Sequence, residues 1–102
     1  MTAREYFELP ESTGGFVWEL HFGDLVQVRI PTKRQYDLQM RIRDLLQRKL
    51  GRARWLIEIE LPYGLVPDYD VRAADVGVVI RSRWDADPEA DCISGLPKLL
   101  FR

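Results

Sequence analysis

A chain of 102 residues suits one domain, and 46% hydrophobic against 30% charged residues marks a globular chain, not a disordered one. A formal net charge of −1 excludes a global field that draws the chain to nucleic acid or membrane, so any such attraction must come from a local patch. The single cysteine, Cys92, excludes a disulfide within the chain, and no stretch approaches the roughly 20 apolar residues of a membrane span. The first residues carry charge early and show no apolar run of signal length, so the chain reads as cytoplasmic.

Thr2 with Glu5 three residues on forms a capping box, which predicts a short first helix using Tyr6, Phe7 and Leu9 for apolar contact. Pro10 closes it, and Ser12, Thr13, Gly14 and Gly15 read as a turn. Residues 16–20 and 25–30 read as a hairpin around a tight turn at residues 21–24, with Val26, Val28 and Ile30 on one face. Thr32 is the predicted N-cap of a helix over residues 33–50, stopped by Gly51. Leu38, Ile42, Leu45, Leu46 and Leu50 form its apolar stripe, and the spacing of Arg41, Asp44 and Arg48 allows ion pairs on the opposite face.

Residues 54–61 alternate as a strand, with Trp55, Ile57, Ile59 and Leu61 on one face and Arg54, Glu58 and Glu60 on the other. Residues 62–70 read as a loop, residues 76–80 as a central strand buried on both sides, and residues 85–91 as an acidic surface loop. Residues 96–101 can start one more strand. The predicted order is helix, strand, strand, helix, strand, strand, strand stub: one α/β or α+β domain, residues 1–102, around a mixed sheet flanked by helices.

Few residues carry chemistry by type and place alone. Asp75 enters an apolar strand, where an acid tends to be a ligand, a cap or a paired charge. Glu19 reads either as a site residue or as a solvated strand position. His21 reads as a surface histidine beside Glu19 in sequence only, and Cys92 as an inert thiol, with no cation near in sequence to lower its pKa. Residues 33–54 hold eight basic side chains against the acids Asp37 and Asp44, a local excess of six positive charges. Among them Lys33, Arg34, Arg41 and Arg48 could follow a phosphate backbone as a DNA contact, or simply form a solvated helix face. Trp18 and Trp55 read as packing residues, and Trp84 as the tryptophan best placed for a partner contact.

Five segments in order, TAREYFELPE, FVWELHFGDLVQV, PTKRQ, VRAADVGVVIRSR and ISGLPKLLF, resemble the Uma-type restriction endonuclease family of the PD-(D/E)XK nuclease-like superfamily. The resemblance covers essentially all of this chain and about the first half to two-thirds of a typical member. It implies a restriction-endonuclease-like fold and a Mg²⁺- or Mn²⁺-dependent endonuclease. Carried over residue by residue, Glu19 matches the glutamate of the first strand and Asp75 the aspartate of the PD motif, with Ala74 in place of the proline. These two are the implied catalytic and metal-binding pair. Gln35 stands where many members carry histidine, Lys98 where they carry aspartate, and Arg102 where the catalytic glutamate belongs.

Metal-assisted phosphodiester hydrolysis needs hard oxygen ligands and a cation near the developing charge. With the third carboxylate and the lysine missing from their expected positions, the expectation is a chain with little or no activity, read as a shortened member of the family. The alternative is a non-catalytic module that pairs with a second copy or another protein through the exposed strand at residues 96–101.

Overall fold

The structure, a computed structural model, describes residues 1–11 and 14–101. Ser12 and Thr13 of the predicted first turn, and Arg102 at the expected glutamate position, lie outside the described residues. The elements in order are α1 (Ala3–Phe7), β1 (Phe16–His21), β2 (Asp24–Arg29), α2 (Lys33–Leu50), β3 (Trp55–Gly64), β4 (Arg72–Ile80), α3 (Arg81–Asp85), β5 (Ile93–Ser94) and β6 (Leu99–Phe101). The fold is mixed α+β. A two-stranded sheet, β1-β2, stands beside a four-stranded sheet in the order β5-β3-β4-β6, in which only the β3–β5 pairing is parallel.

Local signals set both helix starts. Thr2 and Glu5 form the predicted box at α1, and Thr32 with Gln35 forms a second at α2: the Thr32 hydroxyl accepts from Gln35 N at 3.2 Å, and Gln35 Oε1 accepts from Thr32 N at 2.8 Å. Gly51 follows α2 at φ 80°, a conformation open to glycine without a Cβ clash. The β1–β2 turn is Phe22-Gly23, with φ of 52° and 90°, the signature of a two-residue hairpin turn.

The hairpin joins the larger sheet at a single bridge, where Leu20 and Val71 exchange hydrogen bonds of 2.8 Å in both directions. The main core lies on the two faces of the β3–β4 hairpin. Ile57, Val76 and Val78 face α2 and are covered by Ile42, Leu46, Trp55 and Ile59. Leu61, Tyr63, Ala74, Val79 and Ile93 form a second cluster with Leu56 and Leu100. The reading of residues 76–80 as a buried central strand holds: Val76, Val78 and Val79 are each at most 1% exposed.

Four expectations need correction. Leu61 does not share the face of Ile57 and Ile59; it packs in the opposite cluster. The cause is Glu60, which sits mid-strand at φ 52°, and the alternation changes phase there. In β4 the phase changes between Ala74 and Val76, so both strands switch faces at Glu60 and Asp75 while the pairing Ile59↔Val76 and Leu61↔Ala74 keeps one register. The α2 stripe is also rotated. Ile42 and Leu46 pack on the sheet, but Leu38, Leu45 and Leu50 are 58%, 48% and 43% exposed, and Gln39 is buried in their stead.

The remaining two concern element bounds and pairing. Strand β3 extends to Gly64, into residues read as loop, β4 begins at Arg72, before the start read at residue 76, and α3 and β5 were not foreseen. The α2 ion pairs predicted from spacing do not form: Asp44 turns to its neighbour Arg43 at 3.4 Å, leaving Arg41 and Arg48 apart. No helix among the described residues is long and apolar enough to cross a membrane.

Candidate functional site

A cleft of about 490 Å³ opens where the end of β2 and the first turns of α2 meet β4 and β6. Arg29, Gln35, Gln39, Asp75 and Phe101 are among its walls. Asp75 is half-buried and stands at the face switch of β4. The pairs Ile59↔Val76 and Leu61↔Ala74 bracket it, which sets Glu60 directly across on β3. Strand β6 reaches the same place: Phe101 pairs with Val76, the neighbour of Asp75.

Gln39 binds these parts together. It is 5% exposed, and its Nε2 donates to Glu60 Oε1 at 3.2 Å. Its Oε1 is buried with no hydrogen-bond partner. A buried acceptor left unmet costs about 1–3 kcal/mol, so such an atom in a cleft wall marks a place where a donor or a cation is wanted. Gln35, whose amide cannot act as the general base a histidine would be, is engaged in capping α2. Glu60 carries a second anomaly: a non-glycine residue in the left-handed region inside a strand is strained, by about 1–2 kcal/mol. Two local misfits, one of backbone and one of polarity, therefore meet beside Asp75.

Glu19 is elsewhere. It is 4% exposed, which removes the reading of a solvated strand position. Its Oε2 accepts from Ala73 N at 3.1 Å, and its Oε1 lies 2.8 Å from His21 Nε2. His21 is thus beside Glu19 in space as well as in sequence, a correction to its reading as a detached surface residue. Glu19 does not line the Asp75 cleft. Glu19, on β1, is bonded to Ala73 near the start of β4, and Asp75 lies two residues further along that strand in the cleft. Tyr6 reaches the same region, donating to Trp18 O at 2.6 Å; burial first, then the charges of Glu19 and Cys92, raise its pKa.

Asp70, unremarked in sequence, is the other buried carboxylate. It accepts from Phe22 N at 3.1 Å and Leu65 N at 2.8 Å, and takes Arg72 in a forked ion pair with Nε at 3.0 Å and Nη2 at 3.1 Å. Arg72 also lies 5.1 Å from the Phe22 ring, clamping the hairpin turn. Burial pushes the Asp70 carboxyl upward, but Arg72 and the two backbone N–H groups outweigh it and hold the carboxyl below its usual range. Cys92 is half-buried, and burial followed by the charges of Asp91 and Asp70 raises its thiol, in keeping with an inert role.

Lys33, Arg34, Arg41 and Arg48 are all exposed, and none of them lines the cleft. Lys98 lies near Arg54, Trp55 and Ile80, away from Asp75. Among the described residues no group of three or more His, Cys, Asp or Glu side chains could hold a metal ion. Asp75 and Gln39 are a carboxylate and an amide of the cleft wall, and Glu60 stands across from Asp75 on β3, bonded to Gln39. Glu60 and Gln39 were missed in sequence because the alternation pointed Glu60 to the wrong face and the leucine stripe drew attention from the glutamine. Comparison with protein-family models, with curated proteins and with solved structures gave no significant match.

Proposed function

We propose that this chain is a nuclease-like protein of the PD-(D/E)XK type that takes a hard divalent cation, Mg²⁺ or Mn²⁺, at Asp75 and acts on a phosphodiester in the adjoining cleft. The observation that supports this reading is the partnerless oxygen of Gln39 in the same cleft wall as Asp75, with Glu60 on the facing strand position. Carboxylate and amide oxygens are the donors such ions prefer, and Mg²⁺ keeps several waters, so a small protein set suits it. When bound, the ion supplies Lewis acidity and an activated water.

The chain's own residues do the rest. Asp75 and Glu60 provide the negative charge that holds the ion. Gln39 fixes Glu60 through its amide N–H, and its buried oxygen, without a partner, belongs to a residue of the cleft wall. Arg29, on the β2 side, is the cation that meets a phosphate. Among the described residues no lysine lines the cleft, and Glu19 is held apart, so turnover is expected to be slow even with the ion in place.

The test is thermal unfolding with added MnCl₂ or MgCl₂, alongside cleavage of plasmid and single-stranded DNA. Saturating Mn²⁺ should stabilise the chain, by about 2.7 kcal/mol at a hundred times Kd, and Asp75→Asn should remove that gain. Equal stabilisation of the Asp75→Asn chain, or none in the parent, overturns the proposal.

A further inference from the structure

The outer face of α2 carries a second pattern, of which Leu38 also lines the edge of the cleft while the other members do not. Arg34, Leu38, Arg41, Leu45 and Arg48 follow one another at spacings of four, three, four and three residues. That is the spacing of a helix-pairing seam, and it forms a straight stripe about 21 Å long at 1.5 Å per residue. All five residues are exposed, with Leu38 58% and Leu45 48% accessible.

The stripe cannot turn inward. Gln39 is bonded to Glu60 and Gln47 Nε2 donates to Ile57 O at 3.3 Å, with Ile42 and Leu46 packed on the sheet between them. Four inward contacts along the helix therefore fix its rotation and present the stripe to solvent. Nor are its cations spent. Among the described residues Arg34, Arg41 and Arg48 enter no ion pair and no side-chain hydrogen bond; of the acids on α2, Asp44 is bonded to Arg43, which also lies 4.0 Å from Glu58, and Asp37, spaced three and four residues from Arg34 and Arg41, forms no ion pair with them.

We propose that this face docks an acidic amphipathic helix of another protein, with its apolar residues between Leu38 and Leu45 and its Asp or Glu side chains against Arg34, Arg41 and Arg48. Charge decides the occupant. A second copy pairing through the same stripe would bring arginine against arginine in a seam losing its water, which is costly. A nucleic-acid backbone would satisfy the arginines but would set phosphates beside two leucines, leaving their apolar surface without a partner. An acidic helix answers both halves of the pattern: anchors at i, i+4, i+7 and i+11 bury the leucines, and its carboxylates form forked pairs with arginine.

The experiment uses the full chain and a labelled synthetic helix bearing Leu and Glu in the matching four-three pattern. A scrambled peptide of equal composition and a short DNA duplex are run beside it, and binding is read by fluorescence anisotropy at low and physiological salt. The patterned peptide should bind at least about ten-fold more tightly than the scrambled one. Leu45→Ser should weaken it by a similar factor, and Arg41→Glu with Arg48→Glu should abolish it and transfer preference to a Lys-bearing peptide. These positions are exposed, and circular dichroism is run on each variant to check that it folds. Equal binding of patterned and scrambled peptides overturns the proposal. So does duplex binding that is lost with the arginines yet indifferent to Leu45→Ser, or sedimentation showing chain dimers that Leu45→Ser dissociates. Because none of these readouts involves metal or the Asp75→Asn chain, failure here and failure of the cleft reading are separable.

Discussion

At the entry to β4, the Asp70 carboxylate is wholly buried and accepts from two backbone N–H groups and a forked arginine. Five residues on, Asp75 stands half-buried on an open cleft, beside a strained glutamate and a glutamine oxygen with no partner. Asp70 lies two residues before β4 and Asp75 within it, so position along one stretch of chain does not by itself explain the difference. What differs is saturation. Around Asp70 three neighbouring groups supply donors, and the result is a knot tying the β1–β2 turn and the loop after β3 to the start of β4. Beside Asp75 the buried Gln39 oxygen has no hydrogen-bond partner, a condition that a cation relieves. A satisfied buried acid reads as architecture; an acid beside an unmet acceptor reads as a binding place.

Substitution can break that comparison. The largest effect is expected for Asp70→Ala, which strands Arg72 and two N–H groups and should cost about 3–5 kcal/mol in urea unfolding. If it costs no more than Asp75→Ala, the contrast fails. The same knot gives a pH signature. The folded carboxyl of Asp70 lies below its unfolded value of about 3.9, so its contribution is present above that value and is lost as pH falls through the folded one. Melting temperature should therefore fall as the pH drops below about 4, and Asp70→Asn should flatten that fall.

A smaller loss is expected at Gly64. A Cβ there would overlap the Asp70 carbonyl oxygen, a backbone atom that cannot swing away, so Gly64→Ala should cost about 1–3 kcal/mol. At Gly77 the overlap is with Leu61, whose side chain can yield in part, and the penalty there should be the lesser of the two. The ordering is checked by chemical denaturation of both variants. The smallest change should come from Gln39→Met. It deletes an acceptor that has no partner as well as a donor, so stability should move by less than about 1 kcal/mol, while stabilisation by Mn²⁺ is lost. A large loss of stability with metal response intact would make Gln39 a strut and not a ligand.

What could be read in advance follows from which interactions are local. Thr2 with Glu5, Thr32 with Gln35, and Gly51 are closed within a few residues, so α1 and the full extent of α2 were legible. The rotation of α2 was not. Five leucine and isoleucine positions predicted one buried face, but the sheet below offers Glu60 and the Ile57 carbonyl, and Gln39 with Gln47 takes the inward positions. The face switch was hidden for a related reason: nothing in the letters of Ile59-Glu60-Leu61 marks a left-handed residue, which is favoured there only by the partner strand switching with it. Asp75 was singled out as an acid entering a buried strand; the structure places it inside that strand, β4. Its companion was assigned to Glu19 through the family resemblance, whereas the fold sets Glu60 across from it and gives Glu19 to His21 and Ala73.

The paired switch also has a genetic reading. Because Glu60 and Asp75 face each other and the pairing sum is the same on either side of them, each acts as one residue added to an otherwise regular strand. Deleting either alone would slide the two halves of the hairpin out of step. Deleting both would restore unbroken alternation, keep every remaining cross-strand pair, and remove both acids at once. The hairpin thus contains, as a two-codon excision, the blueprint of its own siteless counterpart.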